Sequence, residues 1–445
     1  MNPPSNALFP GSSQADWIAQ VGKDLKDPNA YETLRWRVET SASAEGFVVE
    51  PFYTRDQLTD VPWQTVQAVQ KAEPGWLNTP VYHLTGDTKV DNKAITEQVS
   101  SGADALILAS GRAEGAAIAD TSQLSRLLNG IKLSETPLFF DTTDSAADLL
   151  NALRTVAPYQ LKGGLLSKPD ETTAQATRLS ADSPQFRTVC VSGHDFHNAG
   201  ATAVQELAFL LARLTDTYDP LTEQGLTPEQ LGPKTILSVA VGTSYFLEIA
   251  KLRALRVLWA RFGAGYGISV PAFIHAQTSA FYESTATPYT NLLRATTEAM
   301  SATVGGCDLL TVRPFNALTS SSDAFGQRIA RNVSLLLTEE SYFNRVADPA
   351  AGSYYIETLT HQLTEAAWQL FLDVEAKGGL AKATDWVKTE IDAGYAARVQ
   401  AVVQGKVLVG VNKFRFDEGV QADKPVVAQP SGEGLPVRRL AESFE

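Results

Sequence analysis

Cysteine is nearly absent from this sequence. Among 445 residues there are two, Cys190 and Cys307, and neither belongs to a Cys-x-x-Cys pair. The chain therefore offers no disulfide framework and no thiolate zinc site. Histidine is also sparse, at five residues. No apolar run approaches the roughly 20 residues that cross a bilayer, so no membrane span is expected. Basic residues are outnumbered, 37 Lys and Arg against 50 Asp and Glu, leaving a formal charge of −13. Such a surface repels a phosphate backbone and argues against nucleic acid as a partner; a small anion would need a local basic patch. The opening residues, MNPPSNALFPGSSQADW, have neither a basic start nor an apolar stretch of signal-peptide length. Together with the cysteine usage, this predicts a soluble, cytoplasmic protein.

What is present is an ordinary globular composition, 44% hydrophobic and 20% charged. Residues 1–75 differ from the rest of the chain. An amphipathic stretch around Trp17 has helical spacing, and two β-like runs, LRWRVET (34–40) and FVVEPFYT (47–54), flank a turn at Gly46. This segment reads as an arm or hairpin. Its large apolar residues Trp17, Leu34, Trp36, Phe52 and Tyr53 are of the kind that pack on a partner chain; the competing reading is an arm folded on its own barrel.

From residue 80 a rhythm sets in. Short apolar runs at 81–84, 105–109, 138–141, 164–167, 187–192, 236–242, 272–278 and 309–313 alternate with amphipathic helical stretches such as 201–214 and 243–262. In the latter, Tyr245, Ile249, Leu252, Leu255 and Trp259 recur every three or four residues, Thr243 or Ser244 offers an N-cap, and Lys251, Arg253, Arg256 and Arg261 largely take other faces. Strands that are apolar nearly throughout are covered on both sides, as in parallel sheets. Eight of them alternating with helices predict an α/β fold of the (β/α)₈ TIM-barrel type over 76–345. An open doubly wound sheet is the structural competitor, weakened by the lack of a GxGxxG after the first strand. Helical stretches at 324–337, 359–375 and 382–404 come next; residues 346–415 read as helices packing on the barrel, and 416–445, rich in Pro, Gly and charge, as a tail or strap.

Barrel chemistry belongs at the carboxyl ends of the strands. His83, His194, His197 and His275 fall on or just after predicted strands, and only His361 lies on a helix, which favours a polar pocket at the mouth. The bland alternative is a set of hydrogen-bonded core or loop histidines. Strand seven runs into His275-Ala276-Gln277-Thr278, whose Gln277 and Thr278 can bind a neutral acyl or amide group. The loop after strand five contains Asp195-x-His197-x-x-Gly200, a spacing by which some cobalamin proteins present histidine to cobalt. Here it precedes a long helix inside a barrel, a context that does not support ligation. No metal site is expected.

Several long segments, in order, resemble the methylmalonyl-CoA mutase family: VAVGTSYFLEIAKLRALRVLWARF (239–262), IHAQTSAFYESTATPYTNLLRATTEAMSATVGG (274–306), RIARN (328–332), DPAAGSYYIE (348–357), EAKGGLAKA (375–383), GKVLVGVNKF (405–414) and the N-terminal DLKDPNAYETLRWRVETSASAEGFVVEPFYT. The likeness spans roughly residues 16–415. It implies a barrel that binds acyl-CoA with the pantetheine arm along its axis, joined in catalytic chains to a flavodoxin-like domain carrying adenosylcobalamin. This sequence departs at decisive places. It ends soon after VGVNKF, so the cobalamin domain is expected to be missing. Near strand one PGWLNTPVYHLTGD replaces a TIRQYAGF-like element, leaving Tyr82 without clear equivalence. The family's Ser-Gly-Tyr-His aligns with Ser192-Gly193-His194-Asp195, putting His194 at the tyrosine position and Asp195 at the catalytic histidine. The CoA-contacting arginine aligns with Phe273. The resemblance therefore implies the small, non-catalytic subunit of a heterodimeric mutase. That subunit would have no catalytic residues, a vestigial pocket of His83, His194, Asp195, His275 and Gln277, no cofactor of its own, and a large catalytic partner that holds adenosylcobalamin. Alternatives are the substrate barrel of a split mutase and an acyl-CoA-binding regulatory module.

Overall fold

The computed structural model describes residues 12–40, 46–110, 118, 120–319, 324–416 and 434–445. The arm comes first: helices Gln14–Asp24 and Ala30–Leu34, then an antiparallel hairpin of β1 (Trp36–Val38) and β2 (Phe47–Val49), with Trp36 opposite Val49 and Val38 opposite Phe47. Gly46 enters β2 at φ +71°, and a Cβ there would lie 2.0 Å from the Val38 carbonyl oxygen, so only glycine fits the return.

Ten short parallel strands succeed the arm: β3 (Leu77–Asn78), β4 (Val81–His83), β5 (Leu106–Ala109), β6 (Leu138–Asp141), β7 (Gly163–Leu165), β8 (Phe186–Arg187), β9 (Val189–Ser192), β10 (Thr235–Val241), β11 (Ile274–Thr278) and β12 (Leu309–Thr311). They pair in two sheets, β4-β5-β6-β7-β8 and β9-β10-β11-β12-β3. β3 and β4 are one chain run broken at Thr79-Pro80, where proline has no N–H to give a ladder; β8 and β9 are another, broken at Thr188. Each broken run bonds both neighbours. Thr79 N–H donates to Leu310 O on one side while Pro80 O accepts from Ile107 N–H on the other, and Thr188 N–H donates to Lys234 O while Gln185 O accepts from Gly163 N–H. The ring is closed: eight strands, a (β/α)₈ barrel rather than an open sheet.

Alternation along each strand sorts the side chains. Leu77, Val81, Ala105, Ile107, Phe139, Leu166, Cys190, Ile236, Phe273 and Leu309 come from all eight strands and form one apolar cluster, which is therefore the barrel interior. Their neighbours, such as Leu106, Phe140, Val191, Val239 and Ala276, pack outward against the helices.

The helix Tyr245–Tyr266 differs from its sequence reading. Ser244 occupies the N-cap position, but its side chain makes no capping hydrogen bond. Lys251 and Arg253 are wholly buried and Arg256 nearly so, because the helix is sandwiched between the barrel and the helix Tyr354–Ala376. A cation placed there must bring partners. Lys251 Nζ lies 2.8 Å from Glu206 and 2.6 Å from Glu248 and donates to Ala240 O; Arg253 pairs with Asp348 and with Glu357; Arg256 pairs with Asp308 at 2.9 Å. Only Arg261 stays at the surface, on Glu365. Burial opposes the Lys251 charge, yet the two carboxylates outweigh it and hold Lys251 above the ordinary lysine range.

The arm lies on its own barrel layer. Tyr53, expected at a partner interface, is buried instead: its hydroxyl accepts from Glu50 N–H and its ring meets Tyr355 edge-on at 5.6 Å. At the other end of the chain, residues 434–445 form a strap across the rim. Arg438 N–H donates to Asn198 O, Leu440 N–H donates to Phe281 O, and the Glu445 carboxylate takes hydrogen bonds from Thr285 and Arg439. Residues 417–433 of the expected tail lie outside the described residues.

Replacing Lys251 by Met strands two buried carboxylates and should cost about 3–5 kcal/mol, read as a lowered urea midpoint; Arg261→Ala, at a surface pair, should cost under about 1 kcal/mol. Equal losses would show that the buried network carries no special weight.

Candidate functional site at the barrel mouth

A cavity of about 1060 Å³ opens at the carboxyl ends of the strands. His83, His194, Asp195, His275 and Gln277 all line it, and its floor is Val81, Ile107, Leu166 and Cys190 of the apolar interior. Five carboxylates (Asp141, Asp170, Glu171, Asp195, Asp216) face it against three cations (Lys168, Arg213, Arg313), a formal excess of two negative charges. Asp195 sits at the start of the short helix His194–Ala199, 3.7 Å from Arg213.

Across the inner end runs a hydrogen-bonded chain from strand five to strand one. His194 Nε2 and Ser238 Oγ are 2.9 Å apart, Ser238 Oγ and His275 Nδ1 2.7 Å, His275 Nε2 and Thr311 Oγ1 2.9 Å, and Thr311 Oγ1 and Thr79 O 2.7 Å. Its polarity is set by its last member. A carbonyl only accepts, so Thr311 donates to Thr79 O and accepts from His275 Nε2–H. Burial pulls His275 down to about 3 and His194 down to about 4, so both rings are neutral at pH 7. Neutral His275 then accepts at Nδ1 from the Ser238 hydroxyl, and Ser238 accepts from His194 Nε2–H. His194 is left with a lone pair on Nδ1, which makes no hydrogen bond among the described residues.

His197 is not at the mouth. It is buried behind the strands, its Nε2 2.7 Å from Ser279 Oγ and its Nδ1 3.5 Å from Glu206, packed edge-on to Phe281. The expectation that it joins the other histidines fails because the helix turns it outward, toward the Glu206–Lys251 network. With both nitrogens engaged it does not fit a cobalt ligand. Tyr82 is also turned away, donating to Asp91 at 2.9 Å. Phe273 lies at the opposite, amino end of its strand, inside the barrel, with the Arg187 guanidinium 3.8 Å over its ring. A guanidinium thus does reach this position from strand five; burial lowers its pKa and its Nε has no hydrogen-bond partner. Sequence reasoning missed Arg187, Ser238 and Thr311. Their signal was a polar residue at an inward register of an otherwise apolar strand.

The family model for methylmalonyl-CoA mutase matches residues 166–441. A methylmalonyl-CoA mutase small subunit of Porphyromonas gingivalis is 33% identical over 459 residues, covering 95% of this chain and 72% of that protein. The chain belongs to the methylmalonyl-CoA mutase family. The small subunit of Propionibacterium freudenreichii subsp. shermanii is 32% identical, covering 98% of this chain and 74% of that protein. A methylmalonyl-CoA mutase of Cereibacter sphaeroides reaches 38% identity, over 53% of this chain and 34% of that one. No described helix is long and apolar enough to cross a membrane.

The two site histidines give a pH signature. In the unfolded chain each titrates near its ordinary value of about 6.5; in the fold they titrate near 4 and 3. The unfolded state therefore binds more protons between these values, so their contribution to stability is complete above pH 6.5 and declines as pH falls through the folded values. His275→Asn should flatten the dependence of the urea midpoint on pH between 6.5 and 5 relative to the unaltered chain; superimposable slopes would contradict the neutral assignment.

Proposed function

We propose that this chain is the small, non-catalytic subunit of a heterodimeric, cobalamin-dependent mutase interconverting methylmalonyl-CoA and succinyl-CoA, and that it acts by stabilising the large catalytic chain. The observation that carries this reading is the polarity of the mouth. Acid assistance to a thioester oxygen needs a hydrogen-bond donor aimed at it. Here His194 offers a lone pair, and Asp195, at the position of the family's catalytic histidine, faces Arg213. A second support is the filled axis: Ile107, Phe139, Cys190, Ile236, Phe273 and Leu309 occupy the interior where a pantetheine arm would run. Together with the excess negative charge at the mouth, this weighs against both the split-mutase and the acyl-CoA-module readings. Adenosylcobalamin belongs, in this reading, to the partner.

The partner face centres on the arm. Leu34, Trp36 and Phe52 remain 42%, 36% and 46% exposed, and Trp17, half-buried, packs against Phe52 with ring centroids 5.2 Å apart and the planes tilted by 37°. Exposed aromatic residues on a folded arm are typical anchors of a protein interface. The arm is thus pinned by Tyr53 to the helix Tyr354–Ala376 and offers its other side outward.

Co-expression with the large mutase chain tests this. The two chains should co-purify as a one-to-one complex, and a Leu34→Asp/Phe52→Asp double variant should weaken assembly by about tenfold or more. Mutase turnover by this chain alone, supplied with adenosylcobalamin and methylmalonyl-CoA, would overturn the proposal.

A further inference from the structure

The mouth cavity has no role in a purely stabilising subunit, yet its inner end is organised. Its relay is continuous over four side chains and anchored to the backbone. Beside the relay, two lining groups make no hydrogen bond among the described residues. One is His194 Nδ1. The other is the Gln277 side-chain amide, two residues beyond His275 on the same face of β11, which makes no hydrogen bond among the described residues. An acceptor and an amide facing one cavity above an apolar floor are the few placed polar groups that define a small-molecule site.

We propose that the barrel mouth binds a small uncharged molecule bearing a carboxamide, whose N–H donates to His194 Nδ1 and whose carbonyl accepts from the Gln277 amide. The chemistry selects this class over its neighbours. A carboxylate has no donor, so its lone pairs would meet the lone pair of His194, and the cavity's excess of negative charge repels it further. An ammonium could donate and is drawn to the cavity by the same negative charge, but at its inner end the burial that keeps both imidazoles neutral penalises a cation beside His194. A thioester carbonyl finds no donor at His194. Occupancy has a direct route outward: His194 opens the helix His194–Ala199, and the far end of that helix is held by the strap, through Arg438 to Asn198 O and Ala199 O.

This inference goes beyond the subunit assignment and stands or falls separately from it. Propionamide, propionate and propylammonium are probes of near-equal size that differ in charge and donor capacity. Ligand-observed saturation-transfer NMR with the full chain, free and in its complex, should give transfer to propionamide only. In ¹⁵N-histidine spectra the His194 Nδ1 resonance should move on adding propionamide. Gln277→Met and His194→Phe, each checked for an unchanged melting temperature, should weaken propionamide binding about tenfold. Should the second variant misfold, Gln277→Met and the nitrogen shift of the unaltered chain still decide. The proposal is overturned if propionate or propylammonium binds as well as propionamide, if propionamide does not bind up to its solubility limit, or if binding leaves the His194 nitrogen unmoved and survives Gln277→Met.

Discussion

The site's chemistry depends on one hydrogen bond, from the Thr311 hydroxyl to the Thr79 carbonyl. Thr79 sits in the break of the first barrel strand, where Pro80 interrupts the ladder. The same break lets that strand bond β12 on one side and β5 on the other and so close the ring. A feature of the fold thus sets a feature of the site. Because the carbonyl cannot donate, every hydrogen in the relay is directed toward it, and His194 at the far end must present an acceptor. No single residue among His194, Ser238, His275 and Thr311 is unusual for a polar pocket. Their order, terminated by a backbone carbonyl, gives the pocket its sense.

Much of the architecture is legible in the sequence. The eight apolar runs lie on the barrel strands, and the helix Tyr245–Tyr266 spans the stretch that reads as helical. Period and composition suffice for this because both faces of each strand are covered. The misreadings share one physical cause: sequence periodicity gives a face, not what covers it. Spacing puts Lys251, Arg253 and Arg256 away from the apolar stripe, and they are; protein rather than water covers them, Glu206 and Ala240 O over Lys251, Asp348 and the helix Tyr354–Ala376 over Arg253, and Ala272 O, Gly306 O and Asp308 over Arg256. His197 reads as lying just after a strand, and it does; a short helix then turns it to the far side of the barrel wall. Tyr53 shares a β-type run with Phe52, yet one is buried and the other exposed. The pocket residues His83, His194, Asp195, His275 and Gln277 come together because they sit on or beside strand ends, and strand ends of a barrel converge. The direction of the hydrogen bonds joining them needs coordinates.

Charge is arranged differently at the two ends of the barrel. At the amino end Arg187 lies flat on Phe273 among apolar side chains, while Arg256 and Lys71 share Asp308 and Lys234 is held by three backbone carbonyls. Along the outer wall buried cations are met by carboxylates, as Lys251 is by Glu206 and Glu248. At the mouth the balance tips to acid. Buried pairs thus tie the outer helices to one another and to the barrel, while the mouth carries a formal excess of negative charge.

Both cysteines are buried, Cys190 in the barrel interior and Cys307 beside Lys71, and burial pushes each thiol up to about 12. In the folded chain both are poor nucleophiles toward alkylating reagents. The native sequence is consequently a silent background for thiol-directed spectroscopy. A single cysteine introduced on the arm or the strap can carry a fluorophore or spin label without first stripping the protein of its own sulfur.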